Sequence, residues 1–148
     1  MQSATVTARP TNSARDPISE AKARLSQYLT QADALITHIT ASPSPALILT
    51  PDTDADGPTV LFANPAFLNR AGKRLKDIVG RSAWSFMVDP SDATGLGRLR
   101  AELAEAGFAR TKRRYTRGDT TYVQDVIVSR LFDEKSRRGV FLAVQPGT

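Results

Sequence analysis

Residues 120–132 and 139–146 read as two β-strands that are apolar at alternate positions on both faces. One face carries Tyr122, Val126 and Val128, with Phe141 and Ala143. The other carries Val123, Ile127 and Leu131, with Val140, Leu142 and Val144. Side chains alternate along a strand, so a sheet with one wet face needs only one apolar set. A strand pair with two apolar sets must be covered on both sides. The chain is thereby limited to folds in which the sheet lies between two covering layers.

The preceding pattern supplies one of those layers. "PALILT" (45–50) and "PTVLFA" (58–63) read as short apolar strands joined by the turn "DTDADG" (52–57), a hairpin. Residues 65–80 carry short helical pieces broken at Gly72 and Gly80. Residues 96–106 form an amphipathic helix with Leu96, Leu99 and Leu103 on one side, ended by Gly107. A strand at 108–116 follows, linked to the next by the tight turn Arg117-Gly118-Asp119, and "DEKSRR" (133–138) makes the last turn. The order predicts an α+β fold, a five-stranded antiparallel sheet with short helices on one face.

The second layer must come from the N-terminal side. Asp16 can cap a helix that starts at Pro17. Ile18, Ala21, Leu25, Tyr28, Ala32, Leu35 and Ile39 are spaced alternately three and four, an a/d seam that Leu29 and Ile36 widen. The spacing predicts one amphipathic helix over 17–41, ended by Pro43 and Pro45. Such a stripe is not stable in water alone and must dock, on its own sheet or on a second copy. Residues 1–16 are rich in Ser, Thr, Ala and Arg without periodicity and read as a disordered tail. Three parts result: the tail at 1–16, the helix at 17–41 and the domain at 42–148.

Several function classes are set aside by composition. The chain contains no cysteine, which excludes disulfides, thiolate metal sites and cysteine nucleophiles. "MQSATVTARP" lacks a secretory apolar core, and no apolar run approaches the roughly 20 residues of a membrane span, so a cytoplasmic location without membrane contact is expected. The net charge of +5 is scattered. The densest basic run, "RTKRR" (110–114), alternates direction on a strand and has only Tyr115 as a neighbouring aromatic, so nucleic acid is not expected. His38 is the only histidine and lies off the seam. Asp52, Asp54, Asp56 and Gly57 imitate the start of a calcium loop, but its twelfth position is Ala63 rather than Glu. No metal, phosphate loop or paired catalytic carboxylate is expected, nor an enzyme.

"LFANPAFLNRAG" followed by "IVGRS" resembles the PAS domain pattern, with Asn64, Phe67, Gly72 and Gly80 at matching places. "RRYTRGDTTYVQDVIVSRLFDE" and "GVFLAVQ" are similar to the last three PAS strands. Within the family, the opening hairpin and Gln145 look most like the flavin-binding blue-light (LOV) branch. The resemblance implies an internal ligand pocket at Asn64, Phe67, Ala83, Trp84, Phe86, Arg114, Gln124 and Gln145. Photoactive members need a cysteine that here is replaced by Ala83 or Trp84, depending on the alignment anchor. The two asparagines at the flavin's polar edge become Arg114 and Gln124, and the phosphate-binding arginine becomes Trp84 or Ser85. No bound cofactor is therefore expected, flavin included. Trp84, Phe86 and Met87 either fill the pocket or line it for an apolar ligand.

The sequence thus leads to a PAS signalling or sensor protein that acts through protein–protein contacts. The expected partners are a second copy, a histidine kinase or another signalling protein. The candidate interface comprises the seam residues Ile18 to Ile39 together with Val123, Ile127 and Leu142 on the outer sheet face. The alternative is a sensor holding a small apolar molecule or a non-photoactive flavin.

Overall fold

Asn64 shows how local sequence sets the frame. Its carboxamide caps the helix that follows, where Pro65 occupies the first turn. The computed structural model describes residues 16–51, 58–83 and 93–146. The elements run α1 (Pro17–Leu25), α2 (Ala32–Thr40), β1 (Ala46–Leu49), β2 (Val60–Ala63), α3 (Pro65–Ala71), α4 (Leu75–Ile78), α5 (Ala93–Ala106), β3 (Phe108–Arg117), β4 (Thr120–Asp133) and β5 (Arg138–Val144). The strands form one antiparallel sheet in the order β2-β1-β5-β4-β3. The expected α+β fold is present, and α5 begins three positions earlier than the pattern 96–106 indicated.

Both sheet faces carry a core. On the inner face Phe67, Ile78, Leu99 and Leu103 from the central helices meet Leu47, Leu49, Val126, Val128 and Phe141. On the outer face Ala21, Leu25, Ile36 and Ile39 meet Ile48, Leu61, Phe62 and Val140. The strand pairing Val128↔Ala143 and Ile127↔Val144 keeps the two apolar sets apart, as the alternation requires.

The single helix expected over 17–41 is corrected to two. α1 ends at Leu25 and α2 begins at Ala32, with turn residues between them. A straight helix of that span would be about 37 Å long, whereas five strands span only about 19 Å across. The break lets both halves lie on one sheet. It also explains why Leu29 and Ile36, placed beside the seam, are buried together with Ala21, Leu25, Ala32 and Ile39, while Ile18 is exposed.

Three side chains of the β4–β5 turn hold the break. Asp133 Oδ2 accepts from the Thr30 N–H at 2.6 Å. Ser136 Oγ donates to the Tyr28 carbonyl at 2.9 Å. Arg138 donates to the Gln27 carbonyl at 2.9 Å and lies 5.0 Å above the Tyr28 ring. These groups satisfy backbone atoms that a continuous helix would have paired internally.

Asn64 closes the frame. Its Oδ1 accepts from Phe67 N–H at 3.0 Å and Ala46 N–H at 2.9 Å. Its Nδ2 donates to the Ile39 carbonyl at 2.8 Å and the Ser44 carbonyl at 2.9 Å. One fully buried side chain thereby joins the end of α2, the start of β1 and the start of α3.

Two expectations follow. Asn64→Ala strands two buried and one part-buried backbone partner and the α3 cap, and should cost about 3 kcal/mol, read from urea unfolding. The Thr30 N–H, foremost among its hydrogen bonds, holds the Asp133 carboxyl below its ordinary value. A carboxylate with a depressed folded pKa contributes stability above its unfolded pKa and loses it as pH falls through the folded one. Acidification below about pH 4 should therefore lower the unfolding midpoint, and Asp133→Asn should make that acid limb shallower.

Candidate functional site

The inner face is where the sequence places a pocket. Gly80 adopts φ 87°, in the left-handed region that favours glycine. The reversal brings residues 81–83 back along β2, where Val60 N–H donates to the Arg81 carbonyl and Ala83 N–H to the Pro58 carbonyl, both at 2.9 Å. Ala83 is thereby turned inward and buried. It lines an apolar cavity with Leu47, Leu49, Leu103, Tyr115 and Val126. The cavity measures about 20 Å³, the space of a single water. Its walls are almost wholly apolar, so a water would find few partners there.

A polar group sits on the same face, beyond the aromatic side chains. Phe67 meets Tyr115 edge-on at 6.4 Å, and Tyr115 stacks on Tyr122 at 5.6 Å. Arg70, near the end of α3, donates through Nη1 to Oε1 of Gln124 and, at 3.4 Å, to Oε1 of Gln145. The Gln145 Nε2 and the Tyr122 hydroxyl are buried without a hydrogen-bond partner among the described residues. Burial pushes the Tyr122 phenol upward, an effect that the charges of Arg70 and Arg117 oppose. Arg117 lies against the end of α3, where a Cβ at Gly72 would come within 2.8 Å of its Nε.

The sheet order, the capped Asn64 and the enclosed inner face agree with comparison to known families. A family model described as "PAS domain" matches residues 44–145. The chain belongs to the PAS domain family. Among solved structures, this PAS domain is similar to an RNA-binding light-oxygen-voltage receptor (TM-score 0.65, 17% identity), covering 80% of this chain but only 34% of that one. It is also similar to a PAS domain from a two-component sensor histidine kinase (0.61, 12%), covering 80% of this chain and 97% of that one. A third is the PAS domain of an HTR-like protein from Haloarcula marismortui (0.60, 21%), with 86% and 98% covered. Identities this low show the shared fold alone. No curated protein matches the chain.

The PAS frame allows the expected site residues among the described ones to be placed. All four hydrogen bonds of the Asn64 carboxamide go to backbone. Phe67 is core. Gln124 and Gln145 are buried on the inner face as expected. Arg114 is a correction: it pairs with Val123 on the outer face, on the far side of the sheet from Gln124. The register places Arg113 opposite Gln124 instead. The period of two makes this one-residue difference a change of face. Trp84, Phe86 and Met87, like the calcium-loop imitation at 52–57, lie outside the described residues. Among the described residues no cluster could hold a metal, and His38 is exposed on α2. No helix among them is long and apolar enough to cross a membrane.

Arg70 was not among the sequence candidates, although a signal existed. Phe67 and Ala71 mark the buried face of α3, and Arg70, three residues after Phe67, falls on it. The turn side chains Asp133, Ser136 and Arg138 carried no such signal, since their partners are distant in sequence.

The carbonyl oxygens of Gln124 and Gln145 are engaged by Arg70, Arg114 is on the opposite face, and the cavity lined by Ala83 is one water in size. Ala83→Cys and Trp84→Cys should each fail to give a light-induced cysteinyl–flavin adduct spectrum after incubation with flavin mononucleotide. Reversible bleaching of a flavin band in either variant would show that a flavin pocket opens.

Proposed function

We propose that this PAS domain is a non-catalytic signalling module whose output is a protein–protein contact on the outer sheet face. The observation that carries the reading is the unequal cover of that face. α1 and α2 bury it over β1, β2 and β5. Over β3 and β4 it is open: Val123 is 60% and Phe108 52% exposed, with Ile127 half-buried beside them. Together with the charged residues set between them, these exposed apolar side chains make a mixed strip that suits a protein contact.

The occupant the surface suits is a second copy of the chain. β3 contributes Arg110, Lys112 and Arg114 around the strip, and β4 contributes Asp125, which lies 3.9 Å from Lys112. A patch holding both signs can complement itself across a twofold axis. The seam at 17–41, apart from Ile18, is occupied by the chain's own sheet, so the helices border this interface rather than form it. Leu142, beneath them, is half-buried in the same layer.

The signal would enter through the hydrogen bonds of Asp133, Ser136 and Arg138. They are few and lie near the surface, so docking of α1 and α2 is open to regulation. Release of the helices would uncover Ile48, Phe62 and Val140 and enlarge the contact face. The interior cavity is far below the several hundred Å³ of ordinary small-molecule sites, which supports contact over an apolar ligand as the working principle. With no cysteine in the chain, a cysteinyl photoadduct plays no part.

Light scattering across a concentration series tests the reading. The protein should run as a dimer, and Val123→Asp or Ile127→Asp should shift it to monomer while leaving the unfolding midpoint nearly unchanged. A wild-type monomer at every concentration would overturn self-association and leave a kinase-type partner as the remaining contact. Separately, Asp133→Asn with Arg138→Ala should raise hydrogen exchange across α1 and α2 while leaving β4 protected.

A further inference from the structure

We infer that the cleft beside α3 is a binding site for a small organic carboxylate, gripped by Arg70 and Gln145. The cleft lies where the segment before β1 passes α3 and the end of β5, and holds about 500 Å³, the size of a small-molecule site. It is separate from the interior cavity and from the outer sheet face, and the inference stands whether or not the chain dimerises.

The argument starts from charge. Arg70 is half-buried, and among the described residues no carboxylate pairs with it. Partial burial of a cation without a counter-ion carries a desolvation cost. Here its described partners are two neutral carbonyl oxygens, both on Nη1. A guanidinium has five donors in a planar fork, so most of that capacity is left for a planar acceptor. Arg117 adds a second positive charge in the neighbourhood, felt together with that of Arg70 at Tyr122.

The amide of Gln145 makes the site specific. Arg70 can only donate, so it fixes the Gln145 oxygen toward itself and the Nε2 away. That Nε2 is buried, on a residue only 3% exposed, and has no partner among the described residues. Gln145 also lines the cleft. An anion with two oxygens in one plane could accept from the free edge of Arg70 and, after a small shift, from Nε2. The lining also includes Pro43, Pro45 and Ala66, apolar surface suited to a short carbon skeleton. Ser44 and Asn69 add polar groups to the lining for a second carboxylate or a hydroxyl. A carboxylate on a short chain matches this layout better than a compact tetrahedral anion.

The test is titration calorimetry of the full chain with acetate, succinate and inorganic phosphate at constant ionic strength. Succinate should bind saturably in the millimolar range or tighter, acetate more weakly, and phosphate least. Arg70→Gln should weaken succinate at least about tenfold, the loss of a charge-assisted hydrogen bond, and Arg70→Lys should fall between. Ala66→Leu, which keeps the charge and fills the cleft from a helix position that tolerates leucine, should abolish binding and serves if the Arg70 variants do not fold. No saturable heat with any carboxylate, equal affinity in Arg70→Gln, or phosphate binding as tightly as succinate would each overturn the inference.

Discussion

The buried carboxamide of Asn64 is the interaction on which the arrangement depends. Two donors and two acceptors within one residue meet four backbone groups from three segments. The carboxamide meets the Ala46 N–H and the carbonyls of Ile39 and Ser44 where a buried amide or carbonyl without a partner would be costly. The side chain decides where α2 stops, where β1 starts and how α3 leaves the sheet. Apolar burial supplies the driving force but is indifferent to such detail. The four hydrogen bonds supply the directionality. They also commit the Asn64 carboxamide to backbone on both of its polar atoms.

The sheet was legible because its signal is local and redundant. Alternation over β4 and β5 gave both faces correctly, and Gly72, Gly80 and Gly107 marked the helix ends through their positive φ. The N-terminal layer was legible as a pattern and wrong as an element. A heptad seam states which residues face inward, and Ala21, Leu25, Ala32 and Ile39 do. It does not state whether the backbone between them is helical. The break at residues 26–31 is fixed by Asp133, Ser136 and Arg138, about a hundred residues downstream. Propensity at Ser26 or Thr30 is worth only tenths of a kcal/mol, too little to reveal a choice made by tertiary contacts.

The site was legible in part for a related reason. Gln124 and Gln145 fall on the inner face because the strand period places them there. Arg114 does not, because matching a motif across a hairpin has an uncertainty of one residue, and one residue reverses the face. Arg70 is easily passed over because a single cation on a short helix reads as a solvated residue unless its spacing from Phe67 is weighed. Its position emerges only when α3 and the end of β5 are brought together, where among the described residues no carboxylate pairs with it.

The cleft and the docked helices share one segment, and this sets a physical limit on any communication between them. Residues 41–45 run from the end of α2 to β1, and they carry Pro43, Ser44 and Pro45 of the cleft wall. Asn64 ties both ends of that segment, through Ile39 on one side and Ser44 and Ala46 on the other. A ligand in the cleft can bias the helices only by the difference in its affinity for the docked and released states. If the segment keeps its shape on release, held by Asn64, that difference is small however tightly the ligand binds. If release of α2 pulls on the Ile39 carbonyl and moves Pro43, the difference grows, and by reciprocity the helix state alters ligand affinity by the same factor. The stiffness of five residues around one carboxamide therefore decides whether the cleft and the outer face act as one sensor or as two independent surfaces.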